Sequence, residues 1–236
     1  MKISVIGSVA SGTSVAAKAR RNTEEAEIVV YDQGKDISYS VCGIPYQIGG
    51  EVEDLDVLTP RNAEWFKKRY EVDIFTKHRV SKINHEKKTL EVQDLVSGEI
   101  KEDHYDVLVF ATGASPFTPP PFNQKQYDNV FQVRNIQDAR DIEVFTAIEQ
   151  PKKALIIGAG FIGLEMTEQL IHKGLEVTVV QLEDQVMPPM DADMTFRVEE
   201  HMREKGVKLI LSDTVKTIEG ETSIEKVITT NGVTIE

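Results

Sequence analysis

Short apolar runs rich in isoleucine and valine recur along the chain, at residues 2–6, 27–31, 106–111, 153–157, 176–180 and 208–211. Runs of this length, several followed by a helical pattern, read as buried strands of parallel sheets. One order of elements repeats. A strand, a glycine-rich turn and a helix occupy residues 3–21 and again residues 155–173, each followed by a second valine-rich strand. Two nucleotide-binding halves are the simplest explanation. Between the second and third runs the texture changes. A helix is predicted over residues 60–70, with Thr59 as N-cap and Pro60 at the first helical position, followed by polar–apolar alternation broken near residues 84–88 and 97–98. That pattern predicts a small antiparallel meander inserted in a parallel fold. The proline run at residues 119–121 suits neither helix nor central strand and reads as an extended connector. The predicted class is therefore α/β, with two Rossmann-like three-layer domains over residues 1–117 and 118–236, the first carrying the β-meander.

Composition narrows the function classes. With 236 residues and 40% apolar content the chain can bury two modest cores, and disorder, collagen and coiled coil fit poorly. The net charge of −12 repels nucleic acid and anionic membranes, so any anionic ligand needs its own basic patch. The longest apolar stretch, around residues 154–166, is broken by glycines and falls short of the roughly 20 residues a spanning helix needs. The N-terminus runs straight into a strand without the features of a signal peptide, which gives a cytoplasmic expectation. A single cysteine excludes an internal disulfide and suits a reducing compartment. The five histidines show no ligand spacing, so no metal is expected.

In Gly158-Ala159-Gly160-Phe161-Ile162-Gly163 the pattern G-x-G-x-x-G stands between a buried strand and a helix, where backbone amides and the positive helix end can meet a pyrophosphate. The acid that usually closes the next strand and holds a ribose is replaced by Gln181, so the choice between NADH and NADPH stays open. The first loop, Gly7-Ser8-Val9-Ala10-Ser11-Gly12, carries valine where the middle glycine would stand. Its context supplies what the motif lacks: Asp32 closes the next strand at an offset where a carboxylate reaches a ribose.

Cys42 lies in Ser38-Tyr39-Ser40-Val41-Cys42-Gly43-Ile44-Pro45-Tyr46, where Gly and Pro can open a helix whose dipole stabilises a thiolate. Together with both glycine loops and the Ala111-Thr112-Gly113 segment, this stretch resembles the pyridine nucleotide-disulfide oxidoreductases. Within them it is similar to the single-cysteine branch of coenzyme A disulfide reductases, NADH oxidases and NADH peroxidases. The resemblance implies FAD at the first loop, with contacts from Gly7, Gly12, Asp32, Cys42, Val80, Ala111, Thr112, Gly113 and Arg134. It implies NAD(P)H at the second loop, and a Glu165 near flavin and nicotinamide. The chain has no second cysteine to complete the Cys-x4-Cys pair of other relatives, so the thiolate would pair with an external thiol or become a sulfenic acid.

Oxidases and peroxidases of the family carry a histidine in the first loop, whereas this chain has Ala10. The resemblance therefore favours coenzyme A disulfide reductase, with NADH oxidase or peroxidase as the alternative and a non-catalytic nucleotide-binding module as a third reading. By position, Ser14, Lys18, Arg21 and Ser38 would contact coenzyme A, whose phosphates call for the cations of the first helix. Lys67, Lys68 and Arg69 are further candidates for phosphate, and Val41 replaces an asparagine that helps hold substrate. The resemblance also implies a C-terminal FAD segment, a last strand of the nicotinamide domain and a dimerisation domain beyond residue 236. The chain thus reads as the N-terminal part of a homodimeric enzyme.

Overall fold

The computed structural model describes all 236 residues. In chain order its elements are β1 (Lys2–Ile6), α1 (Ala10–Asn22), β2 (Glu27–Tyr31), a 3-10 turn at Val41–Gly43, α2 (Ile44–Gly49), α3 (Leu55–Leu58), α4 (Ala63–Tyr70), β3 (Asp73–Phe75), β4 (His78–Asn84), β5 (Thr89–Asp94), β6 (Ile100–His104) and β7 (Val107–Phe110). They continue with α5 (Ile136–Glu149), β8 (Lys153–Ile157), α6 (Phe161–His172), β9 (Glu176–Val180), α7 (Ala192–Glu204), β10 (Lys208–Ile210), β11 (Val215–Glu219), β12 (Lys226–Thr229) and β13 (Thr234–Ile235). The chain divides into two compact units, one of residues 1–40 and 55–115, the other of residues 41–54 and 116–236.

In the first unit the sheet order is β3-β2-β1-β7, all parallel, with Val5 in register with Val30 on one side and Val109 on the other. The period-two alternation of β2 explains the layers. Ile28 and Val30 join Ile3, Val5, Ala16 and Phe66 on the helical face. Val29 and Tyr31 point the other way, onto Leu90, Val92 and Tyr105 of the antiparallel sheet β4-β5-β6 and the segment that follows it. The predicted meander is thus this second sheet, turning at residues 85–88 and 95–98. One polar network ties the two sheets. Lys2 Nζ donates to Asp103 Oδ1 at 2.6 Å and pairs with Glu27 at 3.0 Å, while the Tyr31 hydroxyl donates to Asp103 Oδ2 at 2.7 Å. Burial alone would raise the Asp103 carboxyl, but the Lys2 and Tyr31 hydrogen bonds outweigh it and hold the group below its ordinary range.

The helix expected from residue 60 starts later. Thr59 turns its hydroxyl back to the Asp56 carbonyl and closes α3, and it is Asn62 Oδ1 that accepts from the Trp65 amide at 2.9 Å as the N-cap of α4. Asparagine is the stronger cap, and three more residues of loop result.

In the second unit the parallel order is β10-β9-β8, so β8 is bordered on one side only. A separate antiparallel sheet, β11-β12-β13, completes this unit. Helix α5 begins with a capping box in which Asn135 accepts from the amides of Gln137 and Asp138, and Asp138 Oδ2 accepts from that of Asn135. No helix is long and apolar enough to cross a membrane.

Candidate functional site

The two glycine loops obey one local rule. Gly7 and Gly158 sit at φ +102° and +99°, a region costly for any residue with a Cβ, and each amide donates to the last carbonyl of the neighbouring strand: Gly7 to Tyr31 at 2.8 Å and Gly158 to Val180 at 2.9 Å. A Cβ on Gly12 would collide with the Gly7 carbonyl, and one on Gly163 with the Gly158 carbonyl. The first and third glycines are therefore required by the turn itself. The middle position is different. Gly160 has φ −78° with open space around it, and Val9 takes φ −89° at the corresponding N-cap. Space at that point, not backbone conformation, is what a glycine there leaves free.

Both helices that follow start without a side-chain cap or an acid in the first turn, leaving their amides and positive end open to an anion. Asp32 and Gln181 play parallel parts. Asp32 Oδ2 accepts from the Ser8 amide and hydroxyl, both at 2.6 Å, with Oδ1 on the Gly34 amide at 2.7 Å. Gln181 Oε1 accepts from the Ala159 amide at 2.8 Å and is buried. A carboxylate offers about four acceptor positions, so Asp32 keeps capacity for a hydroxyl donor. Ser38, held at φ 51°, donates its amide to the Ser8 carbonyl at 2.9 Å and so joins this cluster.

Cys42 occupies the 3-10 turn immediately before α2, with Gly43 as the helix N-cap and Pro45 in its first turn. Its thiol is exposed. The helix behind it is fixed: Ile44, Pro45, Gln47 and Ile48 are buried, and Gly49 approaches the Gln169 side chain so closely that a Cβ would collide with it. Gln169 Nε2 in turn donates to Glu51 at 2.9 Å. The sequence signalled the cysteine but not Gln169, which only the packing of α2 on α6 reveals.

The remaining predicted residues are scattered more widely. Val80 is half-buried in β4 against the Tyr31 cluster. Ala111 follows β7 and touches the first loop, its carbonyl standing where a Gly7 Cβ would be; Thr112 and Gly113 are exposed. Arg134 is half-buried, its amide held by Asp138 Oδ2 at 2.7 Å. Glu165 is half-buried on α6, while Phe161 and Ile162 are exposed. A cleft of about 1130 Å3 runs along the open side of β8 as far as Gly158, Gly160 and Phe161.

Ser14 and Arg21 come together in a groove between α1 and α4, and Lys18 does not line it. Lys67 is engaged with Asp73 at 2.8 Å and Arg69 lies over Tyr70; neither of these nor Lys68 faces the groove. Arg61 and Trp65 do, and sequence reasoning passed over both. Arg61 lies in the loop that the late start of α4 creates, so its position depended on the cap.

The sequence pattern of the pyridine nucleotide-disulphide oxidoreductases matches residues 1–236. The chain is 37% identical to an NADH oxidase of Methanocaldococcus jannaschii over 228 residues, 96% of this chain and 50% of that protein. It is 32% identical to a coenzyme A disulfide reductase of Staphylococcus aureus over 221 residues, 93% of this chain and 49% of that one. Among solved structures, the reduced CoADR-RHD of Bacillus anthracis superposes with a TM-score of 0.93 at 38% identity, covering 100% of this chain and 42% of that one. The chain thus spans about half the length of the curated relatives it matches.

Proposed function

The chain belongs to the pyridine nucleotide-disulphide oxidoreductase family, and from that premise we propose that it is the nucleotide- and thiol-bearing part of a flavin-dependent NAD(P)H:disulfide oxidoreductase acting on coenzyme A disulfide. The observation that carries this reading is the exposed thiol of Cys42, alone in the sequence and set at the start of a firmly packed helix. A thiol with no partner cysteine exchanges with a disulfide from outside.

The residues fit both dinucleotides. In the first loop the open amides at the start of α1 suit the FAD pyrophosphate and Asp32 has an acceptor position for the ribose. Ala111, Thr112, Gly113, Val80 and Arg134 are assigned to the flavin by resemblance. In the second loop Gly160 leaves room for NAD(P)H to approach the start of α6, with Phe161, Ile162 and Glu165 beside it. When bound, the cofactors supply two electrons, delivered as hydride from NAD(P)H to the flavin.

Cys42 does the sulfur chemistry. Its thiolate attacks one sulfur of coenzyme A disulfide, the S–S bond breaks, and one coenzyme A thiolate leaves while a Cys42–coenzyme A mixed disulfide forms. Two electrons then cleave that mixed disulfide, returning the Cys42 thiolate and a second coenzyme A thiolate, and protons from water complete both products. Ser14, Arg21 and Ser38 hold the coenzyme, Arg21 as a cation for phosphate. Cys42→Ser should abolish disulfide-dependent NAD(P)H oxidation and the coenzyme A adduct seen by mass spectrometry, with flavin content retained. Undiminished turnover in that variant would refute the assignment.

The likeness to an NADH oxidase favours a second reading, in which peroxide oxidises the Cys42 thiol to sulfenic acid with release of water. NAD(P)H consumption measured side by side with coenzyme A disulfide, oxygen and peroxide separates the two.

A further inference from the structure

Cys42 belongs with the second glycine loop. Residues 41–54 stand in sequence between two segments of the first compact unit, yet they pack as part of the second, the unit that carries Gly158–Gly163. Within it α2, whose start bears Cys42, lies against α5 and α6. Helix α6 therefore has a task at each end. Its first turn follows the glycine loop without a side-chain cap, and its last turn holds the tail of α2.

That hold runs through one residue. Gln169 is fully buried, its Nε2 donates to Glu51 Oε1 at 2.9 Å, and its Oε1 is pressed on Gly49 where a Cβ would stand. Only glycine leaves room there. Glu51 is fixed in turn to α2, because its amide donates to the Tyr46 carbonyl at 2.9 Å, and its Oε1 lies 3.7 Å from His172 Nδ1, one turn beyond Gln169. Glutamine is a poor filler for such a place. Its Oε1 has no donor, nor has that of the buried Gln47 on α2, whereas an apolar side chain of the same shape would leave no buried acceptor unpaired. Packing alone does not call for an amide here; the bond to Glu51 does. Towards the loop, the Thr167 hydroxyl donates to the Gly163 carbonyl at 2.7 Å, and Met166, Thr167 and Leu170 are buried. A packed helix of 12 residues moves as a rod, so a change at the glycine loop reaches Gln169.

We propose that Gln169 is a positioning residue through which a nucleotide bound at the start of α6 raises the reactivity of Cys42. This rests on the assignment of NAD(P)H to the second loop and of disulfide exchange to Cys42, and it adds a coupling between the two. A pyrophosphate accepted by the open amides fixes α6, Gln169 carries that order to Gly49 and Glu51, and α2 then holds the thiol in one orientation. Sulfur chemistry thus begins with the reductant already in place.

ADP-ribose isolates the coupling, since it has the pyrophosphate and the riboses but neither the nicotinamide ring nor electrons to give. Cys42 is the single thiol, so the release of thionitrobenzoate from dithiobis(nitrobenzoate) by the FAD-saturated protein follows its exchange alone. The thiolate attacks one sulfur, a mixed disulfide forms and one aromatic thiolate leaves. Saturation with ADP-ribose, verified by calorimetry, should speed that release at least about fivefold. Gln169→Met should bind ADP-ribose as the parent does and lose the acceleration. The half-exposed Glu51 provides a second pair of variants: Glu51→Ala should lose the acceleration, and Glu51→Gln, which keeps an acceptor for Gln169, should retain it. A residue that merely filled space would change the melting temperature and leave the response intact. A parent that shows no acceleration, or an acceleration that survives both Gln169→Met and Glu51→Ala, overturns the proposal. A coenzyme A adduct forming on Cys42 with exchange indifferent to ADP-ribose would overturn the coupling and leave the disulfide reading standing; accelerated release of thionitrobenzoate without any coenzyme A adduct would do the reverse.

Discussion

The first glycine loop departs from the G-x-G-x-x-G pattern and the second matches it, yet their backbones are nearly the same. Gly7 and Gly158 share a positive φ, their amides find the same carbonyl on the neighbouring strand, and the third glycine of each is pressed on the first. What differs is the setting. β1 lies between β2 and β7, and the Ala111 carbonyl sits where a Gly7 Cβ would be; β8 borders only β9, and the space beside Gly158 is open. The comparison separates the parts of the motif. Its first and third glycines build the turn, and its middle one leaves open space at the start of the helix.

The largest effect expected from that difference is on stability. Gly7→Ala combines backbone strain with a collision against backbone, and should cost about 4 kcal/mol or more, enough to unfold a marginal domain. Gly158→Ala meets only strain, about 1–3 kcal/mol. Equal losses in urea melts of the two variants would break the comparison. A sharper and smaller contrast lies at the middle position. Gly160→Val should leave the melting temperature almost unmoved, since nothing lies within reach of the new side chain, while weakening NADH binding at least tenfold by fluorescence titration. A stability loss as large as that of Gly158→Ala would show that the turn itself needs this glycine.

The smallest effect concerns acid. The strand starts differ: Lys2 is buried on Asp103 and Glu27, whereas Lys153 is exposed and reaches only the Glu236 carbonyl. The Lys2 and Tyr31 hydrogen bonds hold the Asp103 carboxyl below the ordinary carboxylate range in the folded chain, so its contribution is present above the unfolded value and disappears as pH falls through the lower folded one. Asp103→Asn should therefore lose stability at pH 7 and show a flatter acid limb below about pH 4, with the difference from the parent vanishing at the lowest pH. A parallel pair of pH–stability curves would remove Asp103 from this role.

Much of this was readable in the chain. Period-two alternation placed Ile28 and Val30 on one face of β2 and Val29 and Tyr31 on the other, and the loop glycines announced where strand passes to helix. Other features were not. Thr59 and Asn62 are both capable caps; the turn of α3 engages the Thr59 hydroxyl, and Asn62, the stronger cap, starts α4. That Gln181 Oε1 accepts from the Ala159 amide, as Asp32 does from that of Ser8, was not visible in the chain either. Lys18 was grouped with Ser14 and Arg21 by resemblance, and the groove is lined by Ser14 and Arg21 with Arg61 and Trp65.

The sequence by itself determined the strands, the two turns and the single thiol, because each depends on neighbours a few residues away: alternation, positive φ, one cysteine. Tertiary structure decided which cations share a groove with an aromatic face and which helix backs the cysteine. Those outcomes depend on contacts between α1 and α4 and between α2 and α6, whose partners lie some 40 to 120 residues apart, as Arg20 to Tyr70 and Glu51 to Gln169 do, and no local pattern encodes them.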